Sequence, residues 1–212
     1  ALVIGFHMVE SYGYHALEVL QSQVERRRGG ETGVRSVECL FGEDVWKAAE
    51  DGRWSMKLAN TALGRIEGGP GTLEPGKVKD PHVFLVEYVD GLQAAVLMLG
   101  DGYVKKFAYA QQRGEITDSL EYHTDSGPTH AAFGYLGRNI ENFLVSGEVP
   151  NPVERTYLVT GILEAAMISR GDGGRRITTP HLAKIHYKSA GQPLRPGKPR
   201  PEGASLGEWP NL

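Results

Sequence analysis

The chain has 212 residues, 40% of them hydrophobic, and a formal net charge of -3. Because 23 Lys+Arg nearly balance 26 Asp+Glu, the charge points neither to nucleic acid nor to a membrane surface as partner. The single cysteine, Cys39, excludes an internal disulfide and a zinc site built on several cysteines. We therefore expect a globular, cytoplasmic protein with a real core. Since it begins at Ala1 without methionine, we also expect a piece of a longer protein.

The strongest helix pattern starts near Gly13, after a short strand or linker at 1–4 and a loop at 5–12. The apolar residues fall on one arc of this helix: Ala16, Leu17, Leu20 and Val24. The polar residues fall on the opposite arc: His15, Glu18, Ser22, Glu25 and Arg26. A run of arginines followed by Gly29 and Gly30 predicts the end of the helix. The helix should bury one side and offer the other.

The middle of the chain is rich in β-strand patterns. Alternation predicts a strand over 35–41, and helices are predicted over 43–50 and 53–66. HVFLVEYV and LQAAVLML flank an Asp-Gly turn signal, which predicts a hairpin. Further strands in 103–110 and 119–124 would complete an antiparallel meander. Because several strands are apolar on both faces, we expect helices on one face and a second subunit, hence a homo-oligomer, on the other.

Two more helices are predicted before an irregular tail. Residues 128–146 should form a helix with five apolar side chains facing inward: Phe133, Leu136, Ile140, Phe143 and Leu144. A capping box, Asn151-Pro152-Val153-Glu154, predicts a helix that reaches about Arg170. Prolines and glycines then dominate from Ser189 onward. We expect one α+β domain at 1–188 and an extended tail at 189–212.

Motif spacing excludes several site types. The seven histidines are scattered and form no H-E-x-x-H pattern, so no bound metal is expected. Neither a G-x-S-x-G elbow, a Walker motif nor a G-x-G-x-x-G turn occurs among the 28 glycines. No cofactor-binding residue is therefore assigned within this chain.

The order of four motifs carries a family resemblance. GYHALEVLQSQVERRRGGETGV, GEDVWKA, EYVDGLQAAVLMLG and NPVERTYLVTGILEAAMISRGDGGRRITTPHL follow one another up to about Tyr187. Together they resemble the C-terminal half of the Gfo/Idh/MocA oxidoreductase family. The resemblance implies an α+β domain with an open, largely antiparallel sheet that helices cover on one face. It also implies a preceding Rossmann domain as partner, which would bind NAD or NADP.

The resemblance assigns the site residues. Gly13-Tyr14-His15 matches the histidine end of a family motif in which an aspartate stands four residues before a catalytic histidine. Ser11 occupies the aspartate position here, so the proton relay moves to Glu10, and the family's catalytic lysine would lie upstream of Ala1. His15 and Glu10 are thus the predicted catalytic residues. The predicted substrate contacts are Tyr12, Tyr14, Arg26, Glu31, His123 and Arg155.

These features predict the C-terminal domain of an NAD(P)-dependent oxidoreductase that acts on a sugar, polyol or related hydroxy compound. The alternative is a non-catalytic carbohydrate-binding or oligomerisation module that lacks a cofactor domain. A strand, a G-x-G-x-x-G turn and a helix upstream of Ala1 would favour the enzyme over the module.

Overall fold

The computed structural model describes residues 1–122 and 131–189. Within these residues the strands are β1 (Leu2–Gly5), β2 (Val34–Phe41), β3 (His82–Tyr88), β4 (Gln93–Met98), β5 (Phe107–Arg113), β6 (Ile116–Tyr122) and β7 (Ile177–Thr178). The helices are α1 (Ser11–Val24), α2 (Glu43–Glu50), α3 (Met56–Leu63), α4 (Ala131–Ser146) and α5 (Val153–Gly171). Short 3-10 turns cover Pro75–Lys77 and Leu182–Lys184.

The strands form one open sheet in the order β6-β5-β1-β4-β3-β2-β7. β1 pairs in parallel with β4, and the other pairings are antiparallel. The predicted meander is therefore wrong in one respect, because β1 inserts between β4 and β5. Four residues, LVIG, are too few to show a period, so the central position of β1 was not readable. The insertion brings the carboxyl ends of β1 and β4 together at one edge of the sheet.

Helices cover both faces of this sheet. Side chains of α1 and α5 share one core with the inner face of the strands: Leu17, Leu20, Leu158, Ile162, Phe84 and Val96. Side chains of α2 and α3 share a second core with the opposite face: Val45, Leu58, Ala62, Leu63, Val83 and Leu97. The α+β class with an open, largely antiparallel sheet is confirmed, but the expectation of helices on one face needs correction.

The helices α2 and α3 cover the sheet face on which a second subunit was expected. Val83 on β3 and Leu97 on β4 are both 0% exposed. Each packs in the core that α2 and α3 form on that face. A second subunit is therefore not needed to hide these residues, and the homo-oligomer stays a prediction without this support.

The end of α1 also differs from the expected one. The helix stops at Val24, and from there the backbone forms tighter turns in which Arg26 N–H donates to Gln23 O and Arg27 N–H to Val24 O. The arginine run lies in these turns and not in the last turn of the helix. The predicted starts and ends of β2, α2 and α5 agree with the structure to within one or two residues.

By its contacts the chain divides into two compact units, Ala1–His123 with Val153–Lys188, and Thr124–Pro152 with Ser189–Leu212. The first unit holds the sheet. The described part of the second unit contains α4, whose predicted inward residues are exposed, from 41% for Phe143 to 75% for Leu144. That expectation was wrong, because periodicity identifies an apolar face without naming what covers it. None of the described helices is long and apolar enough to cross a membrane.

Candidate functional site

Two neighbouring loops leave the sheet at the carboxyl ends of β1 and β4. Leu99 N–H donates to Gly5 O at 3.0 Å, and His7 N–H donates to Gly100 O at 3.1 Å, so the loops run side by side. Tyr12 N–H donates to Met8 O at 3.0 Å where α1 begins. These bonds hold the first turn of α1 at this edge of the sheet, a common place for ligand sites in sheets with parallel strands.

His15 follows directly after that first turn, and its side chain is exposed. Its ring centroid is 5.9 Å from that of Tyr12, 6.0 Å from Tyr14 and 6.5 Å from Phe107. The imidazole is thus bordered by aromatic rings but not enclosed by them. This is the arrangement expected for a histidine that meets a ligand, and the catalytic role of His15 remains a prediction.

The other candidates near His15 differ in setting. Glu10 is exposed, directly precedes α1 and forms no side-chain cap on the helix. Tyr12 and Tyr14 are half-buried. Burial raises the pKa of the Tyr14 hydroxyl, Glu18 raises it further, and Arg155 opposes the shift. The Tyr14 hydroxyl therefore stays neutral and lies within the electrostatic influence of Glu18 and Arg155.

Arg155 joins α5 to α1 through two carboxylates. Its side chain is 5% exposed and lies 3.1 Å from a Glu18 oxygen and 3.7 Å from a Glu25 oxygen. Burial raises the pKa of Glu18, while Arg155 lowers it and Glu25 raises it. Glu25, placed on the polar arc by its spacing, is 3% exposed and also accepts a 2.8 Å bond from Tyr187. These contacts connect α5 to α1 through the buried Arg155 side chain, and the substrate contact predicted for Arg155 stays a prediction.

Glu31 is buried at the other end of α1. Its side chain is 0% exposed and pairs with Arg27 at 3.1 Å. Gln21 donates to it at 2.6 Å, and the N–H groups of Thr32 and Gly33 each donate at 2.8 Å. The buried carboxylate therefore anchors this loop to α1, and the substrate contact predicted for Glu31 stays a prediction.

The remaining candidates are not brought to His15. Arg26 is exposed, and its Nε donates to Ser22 O at 3.1 Å, one turn back. His123 lies outside the described residues. The structure thus gathers His15, Tyr12 and Tyr14 at one end of α1, with Glu10 next to them in the chain, and leaves Arg26 and Glu31 near the other end.

Two polar residues at the sheet edge were not identified as site residues from the sequence. His7 Nδ1 lies 2.6 Å from a carboxylate oxygen of Asp101. The His7 ring centroid is 4.5 Å from that of Tyr12. Asp101 stands between two glycines and reads as an ordinary turn residue, so only the parallel pairing of β1 with β4 reveals the pair.

The described residues do not fit a dinucleotide at this helix. The loop from β1 to α1 is FHMVE, without the glycines that let backbone approach a pyrophosphate, and Glu10 puts a carboxylate in front of the helix. Nor do residues 1–122 and 131–189 contain a cluster of three or more His, Cys, Asp or Glu able to hold a metal ion. A cofactor would have to be held by other residues.

No known protein-family model matches this sequence, and no curated protein does either. The fold is similar to that of GenD2 from gentamicin A biosynthesis, solved in complex with NAD, with a TM-score of 0.53 and 14% identity. That match covers 84% of this chain and 54% of GenD2. An NAD-binding protein from Listeria innocua matches at 13% identity and a TM-score of 0.43, over 88% of this chain and 57% of its own. The chain spans little more than half of either protein, and the first likeness shows a shared fold.

Proposed function

We propose that this chain is the substrate-binding part of a Gfo/Idh/MocA-like oxidoreductase that uses NAD or NADP. Its substrate would be a sugar, a polyol or a related hydroxy compound. The observation that carries the proposal is His15, exposed near the start of α1 and bordered by Tyr12, Tyr14 and Phe107. The fold shared with GenD2, a protein solved with NAD, supports it.

The chemistry available to this chain is proton transfer and substrate orientation. Aromatic rings offer apolar faces to the C–H groups of a polyol, while a few polar groups fix its hydroxyls. His15 would accept the proton of the reacting hydroxyl, and the neutral hydroxyl of Tyr14, whose pKa burial raises still further above neutral pH, would donate a hydrogen bond. A nicotinamide would supply the hydride chemistry from a preceding Rossmann domain.

His15→Ala tests the catalytic role in the complete enzyme. If His15 is the general base, kcat/KM should fall by about two to four powers of ten while the protein stays folded. His181→Ala, at another exposed histidine, is the matched control and should leave kcat/KM unchanged. Full activity in His15→Ala would remove His15 from the mechanism.

The second candidate function is a non-catalytic carbohydrate-binding or oligomerisation module. It is favoured by one observation, the lack of fit between the β1–α1 loop and a dinucleotide. On either reading the 212-residue chain should show no saturable NADH or NADPH binding at micromolar concentration when nicotinamide fluorescence is followed. Saturable binding would place a cofactor site within this chain. A Rossmann sequence upstream of Ala1 would decide for the enzyme.

A further inference from the structure

We propose that His7, oriented by Asp101, is a second proton-transfer residue at the sheet edge where His15 lies. This inference rests on the proposed function, because it adds a residue to the same site. Oxidation of a hydroxyl releases one proton and one hydride. When the reacting hydroxyl faces His7 rather than His15, its O–H proton goes to His7 Nε2 while the hydride would go to the nicotinamide, and in the reverse direction Nε2 returns that proton to the oxygen. Three features of the structure lead to this assignment.

The first feature is backbone strain at His7. Its φ is 66°, in the left-handed region that residues other than glycine rarely adopt. The conformation is fixed because His7 N–H donates to Gly100 O. Gly100 packs closely against the backbone of Lys79, since a Cβ there would lie 2.1 Å from Lys79 O. The neighbouring loop therefore holds His7 in a conformation that a glycine would adopt more easily.

The second feature is that the ion pair between His7 and Asp101 adds too little stability to the fold to offset the backbone strain at His7. The side chains of His7 and Asp101 are 39% and 77% exposed. Ion pairs that are exposed to this degree contribute little to folding. Strained residues that stability does not explain are concentrated at functional sites. The position of the imidazole is therefore better explained by chemistry than by folding.

The third feature is the geometry of the imidazole. Nδ1 is buried and lies 2.6 Å from an Asp101 oxygen, but the two atoms do not meet the geometry of a hydrogen bond in this conformation. Catalytic hydrogen bonds are often poorly aligned before a ligand binds. A carboxylate at Nδ1 selects the tautomer that carries its proton there, which leaves the Nε2 lone pair as the base. Nothing in residues 1–122 and 131–189 forms a hydrogen bond with Nε2.

Open space borders the Asp101 side of the pair. Asp101 lines an open hollow of about 550 Å³ together with Lys79 and Tyr103, whereas His7, Tyr12 and His15 do not line it. The Tyr12 ring is near both imidazoles, with centroids 4.5 Å from His7 and 5.9 Å from His15. A bound polyol that touches Tyr12 could thus present different hydroxyls to the two histidines.

The test uses diethyl pyrocarbonate, which acylates unprotonated imidazole nitrogens, with the rate at each histidine followed by mass spectrometry. In the 212-residue chain His7 should react faster than the exposed His181 and His186. At pH 8, where imidazoles are mostly unprotonated, Asp101→Ala should slow the acylation of His7 about tenfold, whereas the control Asp51→Ala, at an exposed aspartate, should not. A His7 rate that matches His181 and ignores Asp101 would overturn the proposal.

A second variant separates chemistry from folding. Asparagine tolerates the left-handed region, so His7→Asn should keep the Tm of the wild type or raise it. In the complete enzyme it should lower kcat/KM by about two powers of ten or more. A large drop in Tm, or unchanged activity, would show that His7 has only a structural role.

The same labelling distinguishes this proposal from the proposed function. If myo-inositol at saturation protects both His7 and His15, both are supported. If Asp101 controls the His7 rate but neither myo-inositol nor glucose protects, the His7–Asp101 pair stands and the proposed substrate class fails.

Discussion

The two ends of α1 carry polar residues that look alike in the sequence and differ in the structure. Near the C-terminal end, Gln21 and Glu31 are 1% and 2% exposed and bond to each other. At the N-terminal end, Glu10 and His15 are exposed. A buried polar group must be paired because leaving it unpaired costs free energy. The polar residues at the C-terminal end of α1 therefore stabilise the fold, whereas those at the N-terminal end are free to contact a ligand.

The largest loss of folding stability should come from removing the buried Glu31 carboxylate near the C-terminal end of α1. Glu31→Ala would leave the N–H groups of Thr32 and Gly33 without their acceptor, while Arg27 would keep Asp90 as its carboxylate partner. Each buried donor left without an acceptor costs about 1–3 kcal/mol. Urea unfolding should show this loss. Glu50→Ala, at an exposed glutamate, is the control and should change the free energy of unfolding by less than about 0.5 kcal/mol. Equal stabilities would mean that Glu31 does not anchor the fold.

Alkaline pH should lower the stability of the fold through two buried tyrosines near the same end of α1. Burial raises the pKa of Tyr88 and Tyr187, with nearby Glu31 and Glu25 adding to the shifts and Gln21 opposing that of Tyr187. Each tyrosine loses its proton near pH 10 when unfolded but keeps it when folded, so the unfolded state binds fewer protons above that pH. The stabilisation is complete below pH 10 and falls as pH rises further.

The size of this fall can be measured. Above about pH 10 the free energy of unfolding should drop by about 1.4 kcal/mol per pH unit for each tyrosine. Urea unfolding at successive pH values gives the slope, and Tyr187→Phe should reduce it. A profile that stays flat through pH 11, about one unit above the unfolded pKa, would contradict the burial of these hydroxyls.

The smallest effect on folding should come from the exposed end. His15→Ala removes an exposed ring that has only edge contacts with Tyr12, Tyr14 and Phe107. The free energy of unfolding should change by less than about 0.5 kcal/mol. Differential scanning calorimetry of His15→Ala and Glu31→Ala side by side measures the difference in stability between the two variants. A comparable loss of stability in both would contradict the difference between the two ends of α1.

Local patterns predicted the elements well, because alternation and capping act over a few residues. β2 and α5 are examples. The predictions that failed depended on partners distant in sequence. β1 lies in the middle of the sheet, and Glu25 is buried because its carboxylate accepts a hydrogen bond from Tyr187 and pairs with Arg155. The pairing of His7 with Asp101 likewise exists only once β1 and β4 lie in parallel. His15 could be selected from its place in the helix and from the family resemblance.

The most direct test of the account is a titration of the ¹⁵N-labelled chain with myo-inositol, glucose and sorbitol, followed by amide chemical shifts. We expect saturable shifts in residues 6–15 and 99–107, which form the sheet edge, and none in residues 21–33. Shifts confined to 21–33, or no saturable shift with any of the three compounds, would contradict the assignment of a polyol or sugar site to the N-terminal end of α1.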